Sequence, residues 1–244
     1  MNNNININWN VCDSVKVLVT TKNFLSNKNF NISYTNNEYN KTKKDIDFLS
    51  DKILPSYPNF IKQAHGKKII NLDEQKIHSH VADGIITSKK KQVIAVQTAD
   101  CMPIVISSVC GSIVCILHAG RKGVEYNIIN SAFEILKKYN YSYEAWIGPS
   151  ISKDYYIVDD NIKKSFIKIN KKYENFFYRN NSQFNMDLLG IASLQLNENN
   201  VKNIFYSDMC TVKNKDNFYS YRNSSDQKRF GTFAWIEDKK KGDI

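Results

Sequence analysis

The chain has 244 residues, 42% of them hydrophobic, enough to bury one core of ordinary size in a single domain spanning 1–244. The formal net charge is +10, with the lysines scattered among Asn and Ile rather than clustered. That pattern describes a solvated basic surface and argues against a nucleic-acid or membrane partner. Five cysteines, with no CxxC pair and no regular spacing, exclude a disulfide scaffold and fit free thiols in a reducing, cytoplasmic compartment. The opening MNNNININWN lacks the basic-then-apolar layout of an export signal, and no apolar run is long enough to cross a bilayer.

In chain order, Val15–Thr20 alternates and reads as a first strand ending at Thr20-Thr21-Lys22. Residues 23–44 are rich in Asn, Lys and Tyr and read as an irregular surface segment with Asx turns. A short helix over Asp45–Ile53 stops before Pro55 and Pro58. Short strands follow at Ile69–Leu72 and Ile85-Ile86. Two β-branched runs, Val93–Val96 and Ile113–Leu117, then read as buried strands.

After Gly123 the period changes. Ile128, Ala132, Ile135, Leu136 and Tyr139 recur every three or four residues, which predicts an amphipathic helix over Tyr126–Tyr139. Its first turn would offer free N–H groups to an anion held by the preceding loop. Ala145–Ile147 reads as a strand closed by Gly148-Pro149, and helices are expected over Asp160–Ile169 and Asp187–Asn197. Ile204–Tyr206 and Phe230–Ile236 finish the pattern as strands. Strands mixed with helices throughout predict an α/β (α+β) fold.

The chemistry concentrates between Val93 and Gly123. The first buried run leads into Asp100-Cys101 and the second into His118, followed by Ala119-Gly120, read as flexible. A strand that ends on Cys or His beside Gly presents that side chain at a sheet rim, where sites form. Upstream, His65 is again followed by Gly. His65, Cys101 and His118 could supply two imidazoles and a thiolate to a tetrahedral zinc with one open position. On the residues alone, the same three also read as a hydrogen-bonded histidine and a core cysteine. Asp100 either orients a ligand or caps its turn. His78 and His80 read as exposed side chains rather than a metal clip, and Cys12, Cys110 and Cys115 as core. Cys210 reads as structural.

Several stretches together resemble one family. QAHG at 63–66, ADGIIT at 82–87, TADCMP at 98–103 and HAGRKG at 118–123 stand in the order of the multi-copper polyphenol oxidoreductase (laccase-domain) motifs. Members of that family are now read as zinc-dependent purine nucleoside phosphorylases. IGPSI at 147–151, Tyr156, Val158, Cys210-Thr211, FYSYR at 218–222 and Arg229 continue the resemblance over nearly the whole chain. There are departures. Arg121 stands where the family usually has Trp, Lys122 where it has Arg, and a glycine-containing N-terminal turn survives only as Thr20-Thr21-Lys22.

The resemblance implies a layered α/β/α sandwich around a mixed sheet. It implies zinc held by His65, Cys101 and His118, which are also the catalytic residues. It further implies phosphorolysis of adenosine, inosine and methylthioadenosine, with adenosine deamination alongside. Arg222, Arg229 and Lys122 are the basic residues placed to bind substrate: aromatics around Arg222 could stack a purine while its guanidinium holds an oxyanion. Copper is the weaker fit, because four histidines do not build a multi-copper centre. The partners expected are purine nucleosides and phosphate, with the chain a monomer or homodimer. Two other readings use the same sequence: a Cys101–His118 hydrolase or amidase acting on a cell-wall precursor, and a non-enzymatic basic module binding nucleic acid.

Overall fold

The computed structural model describes residues 7, 9, 12–24, 29–33, 39–75, 81–224 and 227–238. His78 and His80 lie outside the described residues. The first half of the chain contains β1 (Val15–Val19), α1 (Tyr39–Lys52), β2 (Ile69–Asn71), β3 (Gly84–Thr87), β4 (Ile94–Thr98), β5 (Met102–Ser108) and β6 (Val114–Ala119). Next come α2 (Arg121–Glu125), α3 (Ile128–Leu136), β7 (Tyr143–Ile147), β8 (Ile157–Val158) and α4 (Asp160–Ile169). The last third holds β9 (Phe177–Asn180), β10 (Gln183–Met186), α5 (Leu188–Glu198), β11 (Ile204–Tyr206), α6 (Tyr221–Ser224) and β12 (Phe230–Ile236).

A six-stranded mixed sheet in the order β11-β7-β5-β6-β3-β2 forms the centre. Its outer pairs, β11–β7 and β2–β3, are parallel, and the inner pairs are antiparallel. Both faces are buried, which is why β6 reads as a continuous apolar run rather than an alternating one. One face, carrying Ile104, Ile106, Cys115 and Leu117, packs against Ile128, Ala132 and Leu136 of α3 and Ile191 and Leu196 of α5. The other face, carrying Val105, Val114, Ile116 and Trp146, meets a second, antiparallel sheet β1-β12-β4 through Ile94, Val96, Phe230 and Ala234. Phe233, Trp235, Val93 and Ala95 on the far side of that sheet pack against Ile46 and Leu49 of α1. The fold is thus mixed α/β and layered with helices outermost, and two sheets stand face to face between them. Each fully buried Ile, Val or Leu in these layers contributes roughly 1.5–3 kcal/mol.

The expected elements recur with shifts that have physical causes. The helix expected over Tyr126–Tyr139 is interrupted at Asn127, whose left-handed backbone (φ 59°) and side chain cap α3 by accepting from the Asn130 N–H. The loop before it is itself helical, as α2. The helix start expected at Tyr126 is therefore displaced: α2 already begins at Arg121, after Gly120, and Asn127 caps α3. β5 is a further strand beyond those expected, with Pro103 at its second position, near the strand's start. The β9–β10 hairpin turns at Asn181-Ser182, with Asn181 left-handed (φ 51°); its strands are only four residues long and β9 does not alternate, so the pair leaves little sequence signal. The expected irregular segment also gives way to α1 from Tyr39. Cys115 is core as expected, and burial raises its thiol pKa. Cys110 is not: it is exposed in the β5–β6 turn, donating to the Ser108 and Ser112 hydroxyls, and Cys12 is only half-buried.

Candidate metal centre

Three separate segments bring His65, Cys101 and His118 together. His118 is the second-last residue of β6, opposite Pro103, on the side that faces the second sheet. Cys101 lies where the chain crosses from β4 in one sheet to β5 in the other. Asp100 makes that crossing tight by adopting φ 86°. His65 occupies the turn before β2, again left-handed at φ 58°. Gln63 anchors this turn to the end of β4, its side-chain amide donating to the Gln97 carbonyl at 2.8 Å and its oxygen accepting the Gln97 N–H at 2.9 Å.

The three side chains' ligand atoms all lie within 4.8 Å of one another. The imidazole rings meet edge to face, with centroids 4.7 Å apart. Ligands around a tetrahedral zinc stand about 3.3–3.8 Å apart, so small side-chain movements bring all three to one ion. Gly120 makes this approach feasible. A Cβ there would fall 2.8 Å from Cys101 Sγ and 3.0 Å from His65 Cδ2. Its value is a missing side chain rather than flexibility, since its backbone (φ −75°, ψ 170°) suits any residue. His118 is buried, Cys101 half-buried and His65 exposed, so the centre opens to solvent on the His65 side.

Asp83, buried at the foot of β3, is the residue the sequence reading missed. Its carboxylate accepts from His118 Nδ1 at 2.8 Å, from the His65 N–H at 2.9 Å and from the Gly66 N–H at 2.7 Å. The Ala64 N–H lies 3.2 Å from both oxygens. The signal for it was an aspartate inside ADGIIT, immediately before a buried strand, where only a hydrogen-bonded carboxylate survives burial. Burial opposes its ionisation, but His118 and the turn N–H groups outweigh that and hold its pKa below the ordinary carboxylate value.

Burial likewise opposes the Cys101 thiolate, yet His118 and His65 lower its pKa to about 6. For His118, burial disfavours the imidazolium, while Cys101 and Asp83 raise its pKa to about 9. The metal-free centre is therefore a thiolate–imidazolium pair. The proton that His118 holds on the Cys101 side is the one a metal ion would displace. Two imidazoles and a thiolate suit zinc and leave a fourth position open.

Asp100 does not orient a histidine. It caps and ties: its carboxylate accepts from the Thr211 hydroxyl at 2.6 Å and the Arg222 N–H at 2.7 Å, and its carbonyl from the Ile151 N–H at 2.9 Å. Through it, Arg222 is joined to the turn that carries Cys101. The Arg222 guanidinium donates to the Ile157 carbonyl at 3.3 and 3.4 Å and stands 5.3 Å over the Tyr156 ring. Burial and the nearby Cys101 push the Tyr156 phenol up to about 12, against the opposing charges of Arg121 and Arg222. Tyr156 is thus a neutral hydrogen-bond donor within the field of the centre.

Of the other basic residues, Arg121 opens α2 and pairs with Glu125 at 3.0 Å, both partly buried. Lys122 is exposed on α2. Arg229 precedes β12, its guanidinium on the Lys228 carbonyl at 2.8 Å and its N–H on Asn31 at 2.9 Å. Cys210 holds the neighbouring loop, accepting from the Ser152 N–H at 3.4 Å.

Fold and site define a mixed α/β protein with an open two-His, one-Cys centre at the junction of two sheets. Residues 19–237 match the multi-copper polyphenol oxidoreductase laccase family, and the chain belongs to that family. A Rickettsia conorii protein named purine nucleoside phosphorylase is 37% identical over 72% of this chain and 73% of its own length. A Haemophilus influenzae protein of the same name is 26% identical over 96% and 99%. Escherichia coli (strain K12) purine nucleoside phosphorylase YfiH is 28% identical over 75% of each chain. A crystal structure of a Neisseria meningitidis protein superposes with a TM-score of 0.85 at 23% identity, covering 96% of this chain and 99% of that one. YlmD from Geobacillus stearothermophilus gives 0.79 at 20% identity, covering 93% of each. Among the described residues, no helix is long and apolar enough to cross a membrane.

Proposed function

We propose that this protein is a zinc-dependent purine nucleoside phosphorylase, acting on adenosine, inosine and methylthioadenosine, with adenosine deaminase activity at the same centre. The observation that carries the reading is the convergence of His65, Cys101 and His118 beside an arginine-backed tyrosine, in a chain whose relatives are named purine nucleoside phosphorylases. The chain works as one unit, since its ligands and Arg222 come from residues 65 to 222.

In phosphorolysis, a phosphate oxygen bonds to the ribose C1′ while the bond to the purine nitrogen breaks, giving a ribose 1-phosphate and the free base. Arg222, with Lys122 and Arg229 as further cations, supplies positive charge for the phosphate. The Tyr156 ring, stiffened by the guanidinium above it, offers a flat face to the base. Its neutral hydroxyl can donate to the base or to the ribose. When bound, zinc supplies Lewis acidity and a water of lowered pKa, the requirement for exchanging the amino group of adenine for oxygen. His65, Cys101 and His118 hold it and leave the solvent side open.

One observation favours a second reading. A thiolate paired with an imidazolium whose other nitrogen meets a carboxylate is also the arrangement of a cysteine nucleophile with its base. Metal dependence separates the two. Purified protein assayed with a nucleoside panel, with and without phosphate, should release base only when phosphate is present. It should carry about one zinc per chain and lose activity on chelation. Phosphate-dependent base release that survives chelation would overturn the zinc dependence, and no base release with or without phosphate would overturn the phosphorylase reading and leave the hydrolase.

A further inference from the structure

We infer that Asp83 is the positioning residue for both histidine ligands at once, fixing the ring nitrogen that His118 presents and the turn that carries His65. The inference rests on the metal-centre reading above. A metal-ligating histidine almost always donates its other ring N–H to a carboxylate, carbonyl or water, and that partner fixes the ring. Asp83 does more. Its Oδ1 accepts from both His118 Nδ1 and the His65 N–H, and its Oδ2 accepts from the Gly66 N–H. With the Ala64 N–H at 3.2 Å, three successive N–H groups cradle one carboxylate, and the residue in the middle is the left-handed His65. A Cβ on Gly66 would lie 3.4 Å from Asp83 Oδ2, so the cradle is closed around it. At the same place the Asp83 carbonyl accepts the His118 N–H at 2.7 Å, which locks β6 beside the carboxylate.

The consequence for His118 is chemical. A carboxylate accepts and cannot donate, so Nδ1 must carry the hydrogen and Nε2 is left for the metal. Asparagine at 83 has nearly the same shape but only one acceptor oxygen. If the amide oxygen takes the Oδ2 place, the NH2 faces both His118 Nδ1 and the His65 N–H. Nδ1 must then accept, the ring hydrogen moves to Nε2 and blocks the ligating atom, and the His65 N–H loses its acceptor. If the oxygen takes the Oδ1 place, both histidine contacts are kept, but the NH2 faces the Gly66 N–H and loosens the turn that carries His65. Either orientation weakens the hold on the histidines, whereas Cys101, held by the Asp100 turn, is untouched.

The test uses the full chain, stripped of metal, as wild type and Asp83→Asn, titrated with cobalt(II). Ligand-field bands and the thiolate-to-cobalt charge-transfer band report geometry, and competition with a chromophoric chelator gives Kd. Asp83→Asn should raise the cobalt Kd by roughly 10- to 100-fold. At saturation it should keep the thiolate band and change the ligand-field bands. A folded variant with wild-type Kd and spectrum overturns the role of Asp83. Should the variant not fold, nitrogen chemical shifts of His118 in zinc-loaded wild type decide the matter: a hydrogen on Nδ1 supports the role, and one on Nε2 overturns it. Wild type that takes up no cobalt overturns the metal reading itself, and this role with it.

Discussion

The backbone N–H of Arg222 donates to the Asp100 carboxylate at 2.7 Å, so a residue 122 positions down the chain is fixed to the turn that presents Cys101. This bond uses the main chain of Arg222, leaving its guanidinium to lie over Tyr156. The two functions of the residue can therefore be separated by mutation.

Arg222→Ala keeps the N–H bond to Asp100 and removes only the guanidinium. We expect kcat/KM for nucleoside and phosphate to fall by a factor of tens, about 2 kcal/mol of transition-state binding, with zinc content unchanged. Steady-state kinetics and metal analysis on the same preparation check both halves. An unaltered kcat/KM would place Arg222 outside the site.

Gly120→Ala isolates the packing around the ligands. The backbone there accepts alanine, and removing a glycine from the unfolded chain stabilises by about 0.4–1 kcal/mol. The added methyl, however, falls 2.8 Å from Cys101 Sγ. Because that clash is already present without metal, the metal-free variant should lose the expected gain or melt lower than wild type, and its zinc occupancy should drop. Thermal melts and zinc analysis test this, and full occupancy would show that the ligands do not close as tightly on the ion as their geometry requires.

Stability of the metal-free protein should depend on pH in a specific window. His118, raised from 6.5 to about 9, stabilises the fold fully below 6.5, and that contribution is lost as pH rises through about 9. Cys101, lowered from 9.0 to about 6, stabilises fully above 9.0, and its contribution is lost as pH falls through about 6. Both describe one ion pair, present between those limits. The Tm advantage of metal-free wild type over Cys101→Ser should therefore peak between about pH 6 and 9 and shrink on either side. A flat difference across that range would contradict the ion pair.

The sequence made the ligand trio legible because Cys and His at strand ends beside Gly are costly choices with few structural uses. The bounds read for α4, β11 and β12 coincide with those observed. Asp83 was not legible. A single buried carboxylate has no periodic signature, and its partners come from positions 64–66 and 118, which only the sheet order β6-β3-β2 brings together. The second sheet was hidden for a related reason: β1, β12 and β4 are distant in sequence, and pairing between distant strands leaves no local pattern. Asp100 shows the converse. Its proximity to Cys101 suggested a role toward a ligand, but its left-handed backbone turns the carboxylate toward Thr211 and Arg222.

Arg121 is the departure most open to test, standing where the resembling family carries Trp. Its guanidinium pairs with Glu125 at 3.0 Å, with 26% and 16% of the two side chains exposed, so its charge is partly neutralised but not screened by open water. The same charge acts on the Tyr156 phenol, which places Arg121 within electrostatic reach of the ring proposed to face the base. Arg121→Trp would remove this cation and leave the Glu125 carboxylate uncompensated. The phosphate KM should rise roughly three- to ten-fold, on the order of 1 kcal/mol, with zinc binding intact. Glu125→Gln should act the opposite way, freeing the full charge of Arg121 and lowering the phosphate KM. Phosphate titrations at saturating nucleoside for both variants give a pair of opposite shifts if Arg121 serves the anion. An unchanged or lower phosphate KM in Arg121→Trp would show that the cation serves only the helix α2 it begins.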